Sequence, residues 1–151
     1  MSDINEFLHR EGLEKAAISK RAYALLIDSI LLVILAVFVN VDLFTTLTPN
    51  SSDEEILMIQ TEILKIYFPM AFIYQWLFVT LYGATLGKIL MKIRVIDLQT
   101  GDNPTFLVAL NRSAVRLVSE LVMNLGFFWA LLDPNRQGWH DKSSRTLVIN
   151  A

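Results

Sequence analysis

Residues 20–42 read KRAYALLIDSILLVILAVFVNVD, an apolar run with an arginine at its entrance and one carboxylate, Asp28, inside it. A helix crosses the hydrocarbon core of a bilayer with about 20 apolar residues, so this run is long enough to span. An ionisable side chain within such a helix costs about 2.5–3.5 kcal/mol even on the gentler insertion scales. Arg21 and Asp28 are seven residues apart, which at about 100° and 1.5 Å per residue puts them on one helix face, roughly 10 Å apart along the axis. A charged stripe on a membrane helix has to face protein, water or a ligand.

The bulk of the chain agrees with a lipid environment. Its 151 residues are 54% hydrophobic and 19% charged, with mean hydropathy +0.46, whereas a soluble domain carries about 25% charged residues. The length suits one domain. A net charge of −2 gives no sign of nucleic-acid binding. Without cysteine there is no disulfide framework, thiolate metal site or cysteine nucleophile. The polar start, Met1 to Glu6, lacks the basic-then-apolar layout of a cleaved signal peptide. The first apolar run is therefore expected to stay as an anchor.

Outward from that run, residues 2–19 mix charge with Ile4, Phe7, Leu8, Leu13, Ala16 and Ala17. The pattern fits a short amphipathic helix lying on the membrane surface or a partly ordered tail. Ser19 stands where a helix N-cap would. On the other side comes a polar segment, Thr45 to Glu55, whose Pro49-Asn50-Ser51-Ser52 core reads as a loop. Ser52 and Glu55 predict a capping box. A second apolar stretch follows from about Ile63 to Ala84, interrupted by Pro69, Gln75 and Thr80, with Tyr67, Phe68 and Tyr82 near its ends as interfacial aromatics. Pro69 predicts a modest kink. Lys92 to Leu98 then alternates and is rich in β-branched residues before the turn chemistry of Gln99 to Pro104, and Arg145 to Ile149 repeats the strand signal.

Lysine and arginine divide cleanly along the chain. Residues 1–21 hold Arg10, Lys15, Lys20 and Arg21, residues 85–105 hold Lys88, Lys92 and Arg94, and the tail after 133 holds Arg136, Lys142 and Arg145, while 43–62 has none. The positive-inside rule puts the N-terminus, the 85–105 connection and the C-terminal tail in the cytoplasm, with the acidic loop outside. A straight crossing by 106–132 would export the basic tail. Thr105 is a plausible N-cap there, and Arg112, Arg116, Glu120 and Asn124 recur at i+4 down one helix face. That stripe predicts an amphipathic helix at about 105–118 near the cytoplasmic interface and a re-entrant or hairpin-like segment over Leu121–Leu132. The alternative is a long tilted third span whose stripe faces the first helix.

With these landmarks placed, the chain resembles the RDD family of small membrane proteins. The resemblance lies in Arg21-Ala22-Tyr23-Ala24-Leu25-Leu26-Ile27-Asp28, Tyr82-Gly83-Ala84-Thr85-Leu86-Gly87-Lys88, Arg94-Val95-Ile96-Asp97, Trp129 to Pro134 and Gly138-Trp139-His140-Asp141-Lys142. Together these cover most of residues 20–149. Asp141 then corresponds to the family's second signature aspartate, with Gly87, Lys88, Arg94, Asp133 and His140 as further signature positions. Position 92, where related chains often carry glycine, is lysine. The resemblance implies a multispanning bacterial membrane protein. For function it implies small-solute transport, with cation/proton exchange linked to some members.

The expected fold is an all-α integral membrane protein. It has transmembrane helices at about 22–43 and 63–84, a third, broken or re-entrant membrane segment at about 105–132, and a small cytoplasmic pair of β-strands at about 92–98 and 145–150. Residues 1–19 form a cytoplasmic N-terminal segment, an interfacial helix or a partly ordered tail, and 20–151 the membrane domain. The expected location is the cytoplasmic (inner) membrane of a bacterium, with the bilayer and a second copy or another membrane protein as partners.

The polar cluster of Arg21, Asp28, Arg112, Arg116 and Glu120 carries two readings. Asp28 is a protonatable or cation-binding carboxylate in a transport path for a small cation or proton, or it is a buried ion pair with Arg112, Arg116 or Arg21 that holds the helices in register. The first makes the chain a transport component that must oligomerise to enclose a route. The second makes it a membrane scaffold that binds partners. Gly87-Lys88 lacks the G-x-x-x-x-G-K-[ST] frame of a phosphate loop and reads as a helix end with a basic flank. His140-Asp141 reads as a cap or turn in the tail. With no nucleophile–base set and no ligand cluster, no enzyme, cofactor or metal is expected.

Overall fold

The computed structural model describes residues 3–151. Its elements in chain order are α1 (Asp3–Glu11), α2 (Ile18–Val39), α3 (Val41–Phe44), α4 (Asp53–Tyr82), α5 (Leu86–Leu90), β1 (Ile93–Asp97), α6 (Phe106–Leu121), α7 (Leu125–Leu132), α8 (Trp139–Ser143) and β2 (Thr146–Asn150). Two of these, α2 and α4, are long and apolar enough to cross a membrane. They pack where Leu32 and Ala36 of α2 meet Tyr67 and Ala71 of α4. The opposite faces stay bare: Phe38 is 75% exposed and Leu81 63%. An apolar face of that extent suits lipid rather than water.

The helix ends follow local chemistry. α4 begins at Asp53, where the predicted Ser52–Glu55 capping box starts the helix ten residues before the apolar span itself: Glu55 N–H donates to Ser52 Oγ at 3.3 Å and Ser52 N–H to Glu55 Oε2 at 2.9 Å. Pro69 lies inside this helix. α4 ends at Gly83, whose φ of +66° is the left-handed conformation that glycine enters without a Cβ penalty. A Cβ there would run into the Asn103 side chain. Ser19 does not cap α2, which starts two residues earlier, at Ile18, with Ala17 at the N-cap position.

β1 and β2 form an antiparallel pair, with Val95 opposite Val148. Both strands are slightly shorter than expected. Lys92 stays outside β1 with φ +54°, the left-handed region that glycine enters without a Cβ penalty. Residues 14–16 join the same sheet at its edge: Asn150 N–H donates to Glu14 O at 2.9 Å and Ala16 N–H to Val148 O at 3.0 Å.

The sheet has two different faces, as the strand period of two requires. Ile93, Val95 and Val148 pack with Ala16, Ala24 of α2, Val79 of α4 and Ala109 of α6. Ile96, Leu147 and Ile149 pack with Leu8 of α1. The apolar side of α1 thus covers the sheet, which neither the membrane-surface helix nor the partly ordered tail anticipated. Ile4, Phe7 and Leu13 fill in around it.

This sheet constrains topology. The chain before α2, the segment after α4 and the tail after α7 meet in one cap. If α2 and α4 cross a bilayer, α6 and α7 cannot together be a single straight crossing. They are bent by 101° at residues 122–124, which rules out the long tilted span. Met123 and Asn124 both take left-handed φ, +57° and +59°, and Asn124 N–H closes back on Ser119 O at 2.7 Å.

Candidate functional site

Where the helices meet the cap, two buried carboxylates are held in opposite ways. Asp141, in the first turn of α8, lies between two guanidinium groups. Arg21 Nη2 of α2 donates to its Oδ2 at 2.5 Å, and Arg112 Nη1 of α6 donates to Oδ1. Gly138 N–H adds a bond to Oδ2 at 2.9 Å, so Asp141 also caps its own short helix. Arg112 reaches on to Thr146 Oγ1 at 2.6 Å, and Arg21 to the carbonyl of Arg136. One carboxylate therefore ties α2, α6, α8 and the start of β2 together. Burial by itself would raise the Asp141 carboxyl, but Arg112 and Arg21 beside it hold it well below the usual carboxylate range.

Among the described residues Asp28 makes no ion pair. Its Oδ1 accepts from Tyr74 Oη at 2.7 Å and from Gly87 N–H at 2.8 Å, and its Oδ2 from Thr85 Oγ1 at 2.6 Å. Tyr74 Oη in turn accepts from Leu86 N–H at 2.9 Å. Asp28 and Tyr74 thus satisfy the first free N–H groups of α5 from across the helix interface. The expected ion pair with Arg112, Arg116 or Arg21 is not formed, because Arg21 and Arg112 are both engaged by Asp141. Gly87 permits this docking. A Cβ on it would strike Ala24 O and come within 2.9 Å of Asp28 Oδ1. Gly87-Lys88 is accordingly the start of a helix and not the end of one.

The remaining sequence-predicted residues fall around these two centres. Glu120 accepts from Tyr67 Oη, and not from an arginine. Arg116 is half-buried, with its Nε unpartnered. Lys88 is buried, with its Nζ unpartnered too, and burial, reinforced by Arg112 and Arg116, pushes its ammonium well below its ordinary value. Arg94 lies opposite Ile149 across the sheet. Asp133 pairs with Lys142 at 2.5 Å and accepts from the N–H groups of Asn135 and Gln137, both at 3.1 Å, fixing the turn out of α7. His140 is buried beside Asp141, and burial pushes its imidazole well below the ordinary value.

Sequence reasoning missed Tyr74 and Thr85 as partners of Asp28. The signal was present: Thr85 precedes Leu86-Gly87-Lys88 as an N-cap precedes a helix. It also missed the role of Asp141 as the hub, taking His140-Asp141 for a cap or turn. Gly138 three residues before Asp141 has the spacing of an N-cap with an acid at the third helical position, which marks the cap but not the arginines.

The chain is 29% identical over 92 residues to the proline-rich antigen of Mycobacterium leprae, an overlap of 53% of this chain and 37% of that protein. It is 29% identical over 69 residues to an uncharacterised protein of Rickettsia prowazekii, 46% of this chain and 38% of that one. The chain thus spans well under half the length of these curated relatives. No solved structure matches it. The model of the RDD family matches residues 15–145, from the sheet-edge segment to the residue before β2. The chain belongs to the RDD family.

Proposed function

We propose that this chain is a membrane scaffold that binds partner proteins, itself or others, and that its two buried carboxylates serve to lock the helices to the cap. It is seated in the cytoplasmic membrane of a bacterium, with the cap and both termini in the cytoplasm, as the distribution of lysine and arginine favours. It is not an enzyme. The observation that carries this reading is the enclosure of Asp28. A carboxylate that loads and releases a proton or cation needs an open ligand position, and Asp28 is 1% exposed with both oxygens engaged by neutral donors and the backbone of α5 over it.

A second reading is small-solute or cation/proton transport by a homo-oligomer. It is favoured by the unpartnered polar atoms of Gln75, Lys88 and Ser113 in the interior, since intramembrane polar groups commonly line routes. Reconstitution separates the two. Wild type and Asp28→Asn are placed in proteoliposomes under opposed pH and Na⁺ or K⁺ gradients, with particle mass measured in mild detergent. The scaffold reading predicts no gradient-dependent flux in either and the same assembly in both. Saturable flux in the wild type, lost in Asp28→Asn with the assembly intact, overturns it.

A further inference from the structure

Among the described residues, six buried side-chain polar atoms have neither a partner nor contact with solvent, and four of them, Gln75 Nε2, Lys88 Nζ, Ser113 Oγ and Arg116 Nε, lie on α4, α5 and α6; the other two are Ser119 Oγ and His140 Nδ1. Three of the side chains are more than nine-tenths buried, Lys88 at 6%, Gln75 at 4% and Ser113 at 3% exposure. They come from three elements that the fold brings together. Ser113 and Arg116 are three residues apart on α6 and share a face. Gln75 belongs to the buried stripe of α4 with Tyr67, Ala71 and Val79, and α4 and α6 pack extensively. Lys88 of α5 lies within electrostatic reach of Arg116, which also acts on Tyr67 and Tyr74 of α4.

The local charges do not balance. The cations are Arg21, Lys88, Arg112 and Arg116, and the anions are Asp28, Asp141 and Glu120. Asp141 is occupied by Arg21 and Arg112, Asp28 by three neutral donors and Glu120 by Tyr67. Among the described residues no carboxylate makes a direct contact with Lys88 or Arg116; Asp28 and Asp141 act on Lys88 only through space, and the four cations still outnumber the three anions by one. A buried cation without a counter-charge is strongly unfavourable, and an unsatisfied buried donor adds to that. A water molecule would accept from some of these donors but would leave the charge in place. An anion with several oxygens resolves both problems, and guanidinium and ammonium groups recognise such anions well.

We infer that Lys88, Arg116, Ser113 and Gln75 form a binding site for a phosphate-type oxyanion, supplied as a free anion or as the headgroup of an anionic lipid. The site is separate from Asp28 and does not depend on whether the chain transports anything.

The test uses the full chain, delipidated in a neutral detergent, with its unfolding midpoint as readout. Sodium phosphate is titrated against sodium chloride at equal ionic strength, and phosphatidylglycerol against phosphatidylcholine in mixed micelles. A saturable rise with phosphate assigns the free anion, and a rise with phosphatidylglycerol alone assigns the headgroup. In either case Lys88→Met and Arg116→Gln weaken the apparent affinity by about tenfold or more, the scale of a lost charge-assisted hydrogen bond. Without anion, Lys88→Met melts at or above wild type, since it removes an uncompensated buried charge. Asp28→Asn keeps the response, which separates this site from the function proposed above. No saturable rise with either additive, or a rise unchanged in both variants, overturns the site.

Discussion

Asp141 and Asp28 are equally buried, at 0% and 1% exposure, yet one is paired with two arginines and the other held by three uncharged donors. The difference follows from what each joins. Asp141 sits where α2, α6 and the cap converge, and it fixes three distant segments through charge. Asp28 sits where α4 turns into α5, and it substitutes for the missing helical acceptors of that turn. Burying a matched ion pair adds little net stability, but removing one partner from it is costly. A carboxylate held by neutral donors is replaceable by any side chain that accepts in the same place. Two buried aspartates in one small protein therefore predict very different sensitivity to change.

The largest expected effect comes from breaking the charged centre. Arg112→Gln leaves Asp141 with Arg21 alone and frees Thr146, and should cost about 3–5 kcal/mol, the range for stripping one partner from a buried pair. Chemical unfolding in detergent, or loss of monodisperse protein, reads this out. A cost below 1 kcal/mol would mean that Arg21 alone suffices. Next is the neutral centre. Gly87→Ala pushes a methyl group into Ala24 O and Asp28, and should cost about 1–3 kcal/mol as overpacking does, detectable as a lower unfolding midpoint without any change in the pH profile.

The smallest effect concerns pH. The folded-state value of His140 lies below its ordinary 6.5, so as pH falls the unfolded chain takes up the proton first. Stability should decline as pH drops through about 6.5 and level off below the folded value. Asp141 has the opposite placement. Its depressed value leaves its contribution complete above 3.8, to be lost only as pH falls further. His140→Asn should flatten the limb near neutrality and leave the acid limb, measured as unfolding midpoint against pH.

Much of the architecture was legible in the sequence. The seven-residue spacing of Arg21 and Asp28 placed both on the inner face of α2, where Arg21, Ala24, Asp28, Leu32 and Ala36 form the buried stripe. Ser52 and Glu55 marked a helix start, and alternation marked both strands, because these signals are local. The partners were not legible. Intramembrane charge suggested that Asp28 pairs with an arginine, but Asp141 competes for Arg21 from 120 residues away and for Arg112 from 29. Only the paired sheet, which draws the tail up against α2 and α6, decides that competition. The role of α1 was hidden for the same reason. Its apolar side fits lipid and a β-sheet equally well until the sheet is in place.

The central claim, that Asp28 is a cap held by uncharged donors and Asp141 a lock held by arginines, is tested most directly by the unfolding midpoints of Asp28→Asn and Asp141→Asn measured side by side. Asparagine keeps an acceptor for Tyr74 and Gly87 but cannot neutralise two guanidinium groups. The account predicts a midpoint near wild type for Asp28→Asn and severe destabilisation for Asp141→Asn. Equal losses, or a greater loss for Asp28→Asn, would contradict it.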